Sequence, residues 1–70
     1  MFVRYVVKAK DKDEADRLVA EVVPQKARLV ARADADGGVS LSFIVRALSD
    51  KPFLDSVKAL GHPDPVKKRA

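Results

Sequence analysis

The chain switches between alternating and helical patterns of apolar residues. Over residues 2–10, Val3, Tyr5, Val7 and Ala9 point one way and Phe2, Arg4, Val6, Lys8 and Lys10 the other, which predicts a strand. The period then lengthens. Asp11 precedes Glu14 by three, the spacing of a capping box, and Asp13 and Glu14 suit the positive end of a helix dipole. Ala15, Leu18, Val19 and Val22 follow at helical spacing as one apolar stripe, until Pro24 disfavours the helical conformation at Val23.

Alternation returns at residues 26–34, with Ala27, Leu29, Ala31 and Ala33 on one face and Arg28, Val30 and Arg32 on the other. Asp34-Ala35-Asp36-Gly37-Gly38 reads as a hairpin turn, since glycine accepts a positive φ. Residues 39–48 form the clearest strand. Val39, Leu41, Phe43, Val45 and Ala47 face inward, and Ser40, Ser42, Ile44 and Arg46 outward. Ser49 or Asp50 caps a second helix with Pro52 in its first turn, whose buried side is Phe53, Leu54, Val57 and Leu60 and whose stop is Gly61. Beyond it, Val66 is placed to anchor a short fourth strand.

Connection rules turn this order into a topology. A helical crossover makes the first two strands parallel, and the tight hairpin makes the third antiparallel to both. The third strand then fits between them, with both helices on one face. The fold class is α+β: a ferredoxin-like split β-α-β sandwich with an antiparallel sheet. Residues 1–61 are read as a single domain, and 62–70 as a basic tail or short edge strand.

Composition narrows the picture. Seventy residues allow one small core, and with no cysteine neither disulfides nor thiolate zinc sites staple it. The chain also lacks Trp, Asn and Thr, a usage compatible with a designed scaffold without natural function. No apolar run approaches the ~20 residues that span a bilayer, and Met1-Phe2-Val3-Arg4-Tyr5 lacks the features of a signal peptide. A cytoplasmic protein with no membrane partner is the expectation.

Fourteen Lys and Arg against ten Asp and Glu give a net charge of +4, which permits an anionic partner without requiring one. Its distribution is more informative. No acid falls within the three strand cores, Asp34 being read with the hairpin turn, whereas Arg4, Lys8, Lys10, Arg28, Arg32 and Arg46 occupy outward strand positions. Phe2, Val6, Val30 and Ile44 are interleaved among them. Alternation sends all of these to the sheet face opposite the helices. The candidate partner-binding residues are therefore Arg4, Val6, Lys8, Arg28, Val30, Arg32, Ile44 and Arg46. A solvated basic face that discourages strand stacking is the plainer account of the same pattern.

Most site chemistries are excluded by the residues. No glycine-rich loop opens a helix, so a phosphate cradle is absent. Asp34-x-Asp36 resembles the start of a calcium loop, but its fifth position is Gly38 and its twelfth Val45. His62 is the single histidine, too little for a zinc site without cysteines. The four serines have strand, cap and helix-surface roles, and helix capping accounts for Asp11, Asp13 and Glu14. The first helix carries Asp13, Asp16, Arg17 and Glu21 on its polar side, not the basic face of a membrane-surface helix. No catalytic residues, metal ligands or cofactors are expected. RNA-recognition motifs share the topology but stack bases on exposed aromatics of the first and third strands. Here the third strand exposes Ser40, Ser42 and Ile44, and the first exposes only Phe2.

The stretch from Gly37 to Leu60, with its long strand, Asp50-Lys51-Pro52 break and Phe53-Leu54-x-x-Val57-x-x-Leu60 helix, resembles the second half of small ACT-like regulatory domains. The first half, Val3 to Val22, fits the same order. The resemblance implies homodimerisation through sheet or helices and a ligand site near the first strand-to-helix loop. That loop is Lys10-Asp11-Lys12, without the glycine such sites often use. The expected function is a non-enzymatic binding module whose basic open face engages a polyanion, nucleic acid first. The alternatives are an ACT-like self-associating domain, a homodimer through sheet face or edge, and the designed scaffold.

Overall fold

The structure is a computed structural model that describes residues 1–35, 37–61 and 65–69, with the backbone alone at 35, 68 and 69. Its elements are β1 (Phe2–Ala9), α1 (Lys12–Val22), β2 (Arg28–Ala35), β3 (Gly38–Arg46), α2 (Lys51–Ala59) and β4 (Val66–Arg69). The sheet order is β2-β3-β1-β4, and every neighbouring pair is antiparallel. This is the ferredoxin-like arrangement the pattern predicts. The fourth strand is present, with Val66 opposite Val6 and Lys67 opposite Tyr5. His62 and Asp36, on which the zinc and calcium arguments touched, lie outside the described residues.

The core forms where the inward faces of β1 and β3 meet the helices. Val3, Tyr5, Val7 and Ala9 join Val39, Leu41, Phe43 and Val45, against Ala15, Leu18 and Val22 of α1 and Phe53 and Val57 of α2. Phe53 is fully buried between two rings, with centroids 5.3 Å from Tyr5 and 5.5 Å from Phe43. Aromatic contacts of this kind add about 0.5–1.5 kcal/mol each beyond the area they bury, a useful increment for so small a core.

The helix starts differ. At α1, Asp11 Oδ1 accepts from the Glu14 backbone N–H at 2.8 Å, and Glu14 Oε1 accepts from the Lys10 N–H at 3.0 Å. The capping box is thus closed one residue earlier than usual, on Lys10 instead of Asp11. At α2, Asp50 is the N-cap by position but makes no side-chain cap. Its Oδ2 instead accepts from the Tyr5 hydroxyl at 2.6 Å. A buried phenol needs an acceptor more than an exposed helix start needs a cap, because water satisfies the latter. At the other end of α2, Gly61 has φ +84 and donates to the Lys58 carbonyl at 2.9 Å, the expected stop.

Strand β2 departs from simple alternation. Leu29 pairs with Phe43, but Ala31 pairs with Ser42, so Val30 is an extra residue in a β-bulge. The bulge shifts the phase of everything after it. Ala31 and Ala33, expected inward, lie opposite Ser42 and Ser40 and are exposed. Arg32, expected on the open face, lies opposite Leu41 and donates from Nη1 to Asp16 Oδ1 of α1 at 2.8 Å. The physical reason is the weakness of the pattern: two alanines bury little apolar area, so a charge-assisted bond to α1 offsets their exposure. The third strand also ends two residues early. Residues 47–49 form a single 3-10 turn, with the Ala47 N–H bonded to the Met1 carbonyl at 3.1 Å.

Candidate functional site

The register arranges the open face as rows across the sheet. By backbone register, Phe2 faces Arg46; position 68, Arg4, Ile44 and Arg28 form the next row; Val66, Val6, Ser42 and Ala31 the third; Lys8, Ser40 and Ala33 the fourth. Neighbouring strands are about 4.8 Å apart, so the Arg4–Ile44–Arg28 row spans about 10 Å. Arg4, Lys8, Arg28 and Arg46 are exposed, while Val6 and Ile44 are half-buried between them. Val30 is exposed at the bulge. Lys10 falls past the end of β1, in the bend before α1.

The face is therefore polarised along the strands. Among the described side chains, Arg4, Arg28 and Arg46 gather at one end and Lys8 stands at the other. A fourth cation joins the cluster. Lys26 lies two residues before Arg28, and with Phe2, Arg46 and Ser49 it lines a recess of about 330 Å³. The alternation read from residue 26 did not single it out, and the structure starts the strand only at Arg28, leaving Lys26 in the turn before it. Its signal is conformational: Lys26 has φ +64, the one positive φ among described non-glycine residues, and its N–H donates to the Val23 carbonyl at 3.2 Å.

None of Arg4, Lys8, Lys26 and Arg28 has an ion pair among the described residues. Arg46 sits over the Phe2 ring, its guanidinium carbon 6.0 Å from the centroid, within cation–π range. Of the ten carboxylates, Asp36 and Asp64 lie outside the described residues. The other eight are on the helix side. Asp34 lies opposite Val39 and pairs with Lys12 at 3.8 Å, Asp16 holds Arg32, and Asp50 accepts from Tyr5. The remainder are in or just before the two helices. Two unit charges about 10 Å apart in water repel by about 0.4 kcal/mol, so the fold tolerates the cluster, and an anion among the cations is attracted by all of them together.

A second hollow of about 220 Å³ lies beside the first strand-to-helix loop, lined by Lys10, Asp11, Lys12, Asp34, Gly38 and Val39. Its charges are mixed, and two of its lining residues, Lys12 and Asp34, pair with each other at 3.8 Å. No group of three or more metal-ligating side chains is found among the described residues, and no helix among them is long and apolar enough to cross a membrane. Comparison with protein-family models and with curated proteins finds no match to this chain.

Proposed function

We propose that the protein is a non-catalytic binding module whose open sheet face engages a polyanion, nucleic acid first. Arg4, Lys26, Arg28 and Arg46 supply the positive field, and Phe2, Val6, Ile44 and Val66 supply contact area. The observation that carries this reading is the separation of charge. Among the described residues every carboxylate is on the helix side, while cations without ion pairs crowd one end of the other side. Neutralising phosphates releases condensed counterions, so such a surface binds with little regard to sequence and strongly as salt falls. A sheet with one exposed aromatic offers little base stacking, which also favours backbone-driven binding over readout.

The test is reversal of two exposed charges that have no ion pair among the described residues. Arg4→Glu with Arg28→Glu should abolish binding of a labelled single-stranded oligonucleotide followed by fluorescence anisotropy, with the far-UV spectrum unchanged. Binding that survives the double change unaltered refutes the proposal.

Self-association of the ACT-like kind is the second reading. It is favoured by the third row of the face, where Val66 and Val6 are neighbours and Ala31 is exposed. The same charges oppose it. A second copy docked face to face brings Arg4, Arg28 and Arg46 against another unpaired basic surface with no described carboxylate to meet them, and like-charge juxtaposition costs several kcal/mol, roughly. Dimer in sedimentation equilibrium that persists at high salt, where the repulsion is screened, and is lost in Val6→Glu supports this second reading over the first.

A further inference from the structure

The recess at the basic end has a composition of its own. Lys26 and Arg46 bring two cations, Ser49 a hydroxyl and Phe2 a half-exposed ring, with no carboxylate among its described lining residues. Its volume of about 330 Å³ falls within the usual range of small-ligand sites, roughly 300–1,000 Å³. The four side chains come from the start of β1, the turn before β2, the end of β3 and the turn before α2, so they converge only in the folded chain. Lys26 is held at the recess by local structure: it is the left-handed cap of the 3-10 turn at Val23–Gln25, with its N–H on the Val23 carbonyl.

We infer that this recess is a subsite for a terminal phosphate monoester. This rests on the proposed nucleic-acid reading and sharpens it: the basic face takes the strand, and the recess takes its phosphorylated end. Charge decides between the two kinds of phosphate. A diester within a strand carries one negative charge, whereas a monoester carries about −1.5 to −2 at neutral pH, with three acceptor oxygens. Two cations and a hydroxyl donor match the monoester. Arg46 forks two N–H groups toward such oxygens, Lys26 adds a point charge, and Ser49 donates one O–H. The exposed side of the Phe2 ring is left for the sugar or base that follows.

The experiment compares a 5′-phosphorylated and a 5′-hydroxyl oligonucleotide of the same sequence, with a nucleoside 5′-monophosphate and its nucleoside as small probes. Affinity is read by anisotropy, and the site by amide and side-chain NMR shifts. The expected result is about tenfold tighter binding of the phosphorylated end, the scale of one hydrogen bond to a charged group. The monophosphate should also shift Phe2, Lys26, Arg46 and Ser49, and the nucleoside should not. Lys26→Gly relieves the backbone and leaves the fold intact, so loss of the end preference in that variant reports the side chain alone. Equal affinity for the two ends, or monophosphate shifts spread evenly to Arg4 and Lys8, overturns the inference while leaving the strand-binding proposal standing. Monophosphate shifts confined to the recess, without binding of either oligonucleotide, support the subsite and sink the strand-binding proposal instead.

Discussion

Arg32 of β2 and Asp16 of α1 are joined by a 2.8 Å charge-assisted bond on the helix side of the sheet. This contact takes Arg32 out of the basic face, while Arg28, four residues earlier, remains in it. The two arginines should therefore behave differently. Arg32→Ala is expected to cost about 0.2–1 kcal/mol of stability, as for other partly exposed ion pairs, and to leave oligonucleotide affinity nearly unchanged. Arg28→Ala should leave stability nearly unchanged and weaken binding. Urea denaturation and anisotropy on both variants check this, and equal binding losses would show that the bulge does not sort the two side chains.

Tyr5 donates to Asp50 from a buried position, and burial together with the neighbouring carboxylate pushes its phenol up to about 12 from an ordinary 10.0. The folded state holds this proton more tightly than the unfolded chain does. The stabilisation is therefore fully present below about pH 10 and is lost as pH rises from about 10 toward 12. Its size is on the order of 2–3 kcal/mol. Tyr5→Phe should be less stable at pH 7, by about 1–2 kcal/mol for the lost hydrogen bond. It should also lose less stability than the parent between pH 9 and about 12. Parallel denaturation curves for the two proteins across that range would contradict the Tyr5–Asp50 account.

Gly38 opens β3 with φ +151, and a Cβ built there collides with the Ala9 carbonyl oxygen at the end of β1. The oxygen is backbone and a Cβ is fixed in place by its own backbone, so neither yields by a rotamer change. Gly38→Ala is expected to destabilise by roughly 1–3 kcal/mol or more. Gly37, the adjacent turn residue, has open space around its missing Cβ and bears only the cost of its φ of +89. Gly37→Ala should be the milder change, and thermal unfolding of the two variants ranks them.

The fold was legible where apolar periodicity was strong. In β1 and β3 large inward side chains alternate with polar ones, so a one-residue slip would expose Val7, Leu41 or Phe43, and the face of each residue follows directly. β2 lacks that anchor past Leu29. Its Ala-Arg-Ala-Asp stretch fits either phase almost equally, and the bulge at Val30 is settled by a tertiary contact to Asp16. Asp50 misled in a similar way, since the acceptor-seeking Tyr5 lies 45 residues away in sequence. In the candidate site, Arg4, Arg28 and Arg46 were readable from alternation. Lys26 was not, because its place beside Arg46 comes from a left-handed turn that no periodicity marks.

The claim at the centre of this account is that four cations at one end of the sheet bind a phosphate backbone. The salt dependence of oligonucleotide affinity measures it most directly. If Arg4, Lys26, Arg28 and Arg46 each neutralise one phosphate charge, log K should fall with log salt at a slope of about −3 for a single strand. Removing Arg28 should reduce that slope by about 0.7. An affinity that does not change with salt, or a slope unaltered in Arg28→Ala, would contradict it.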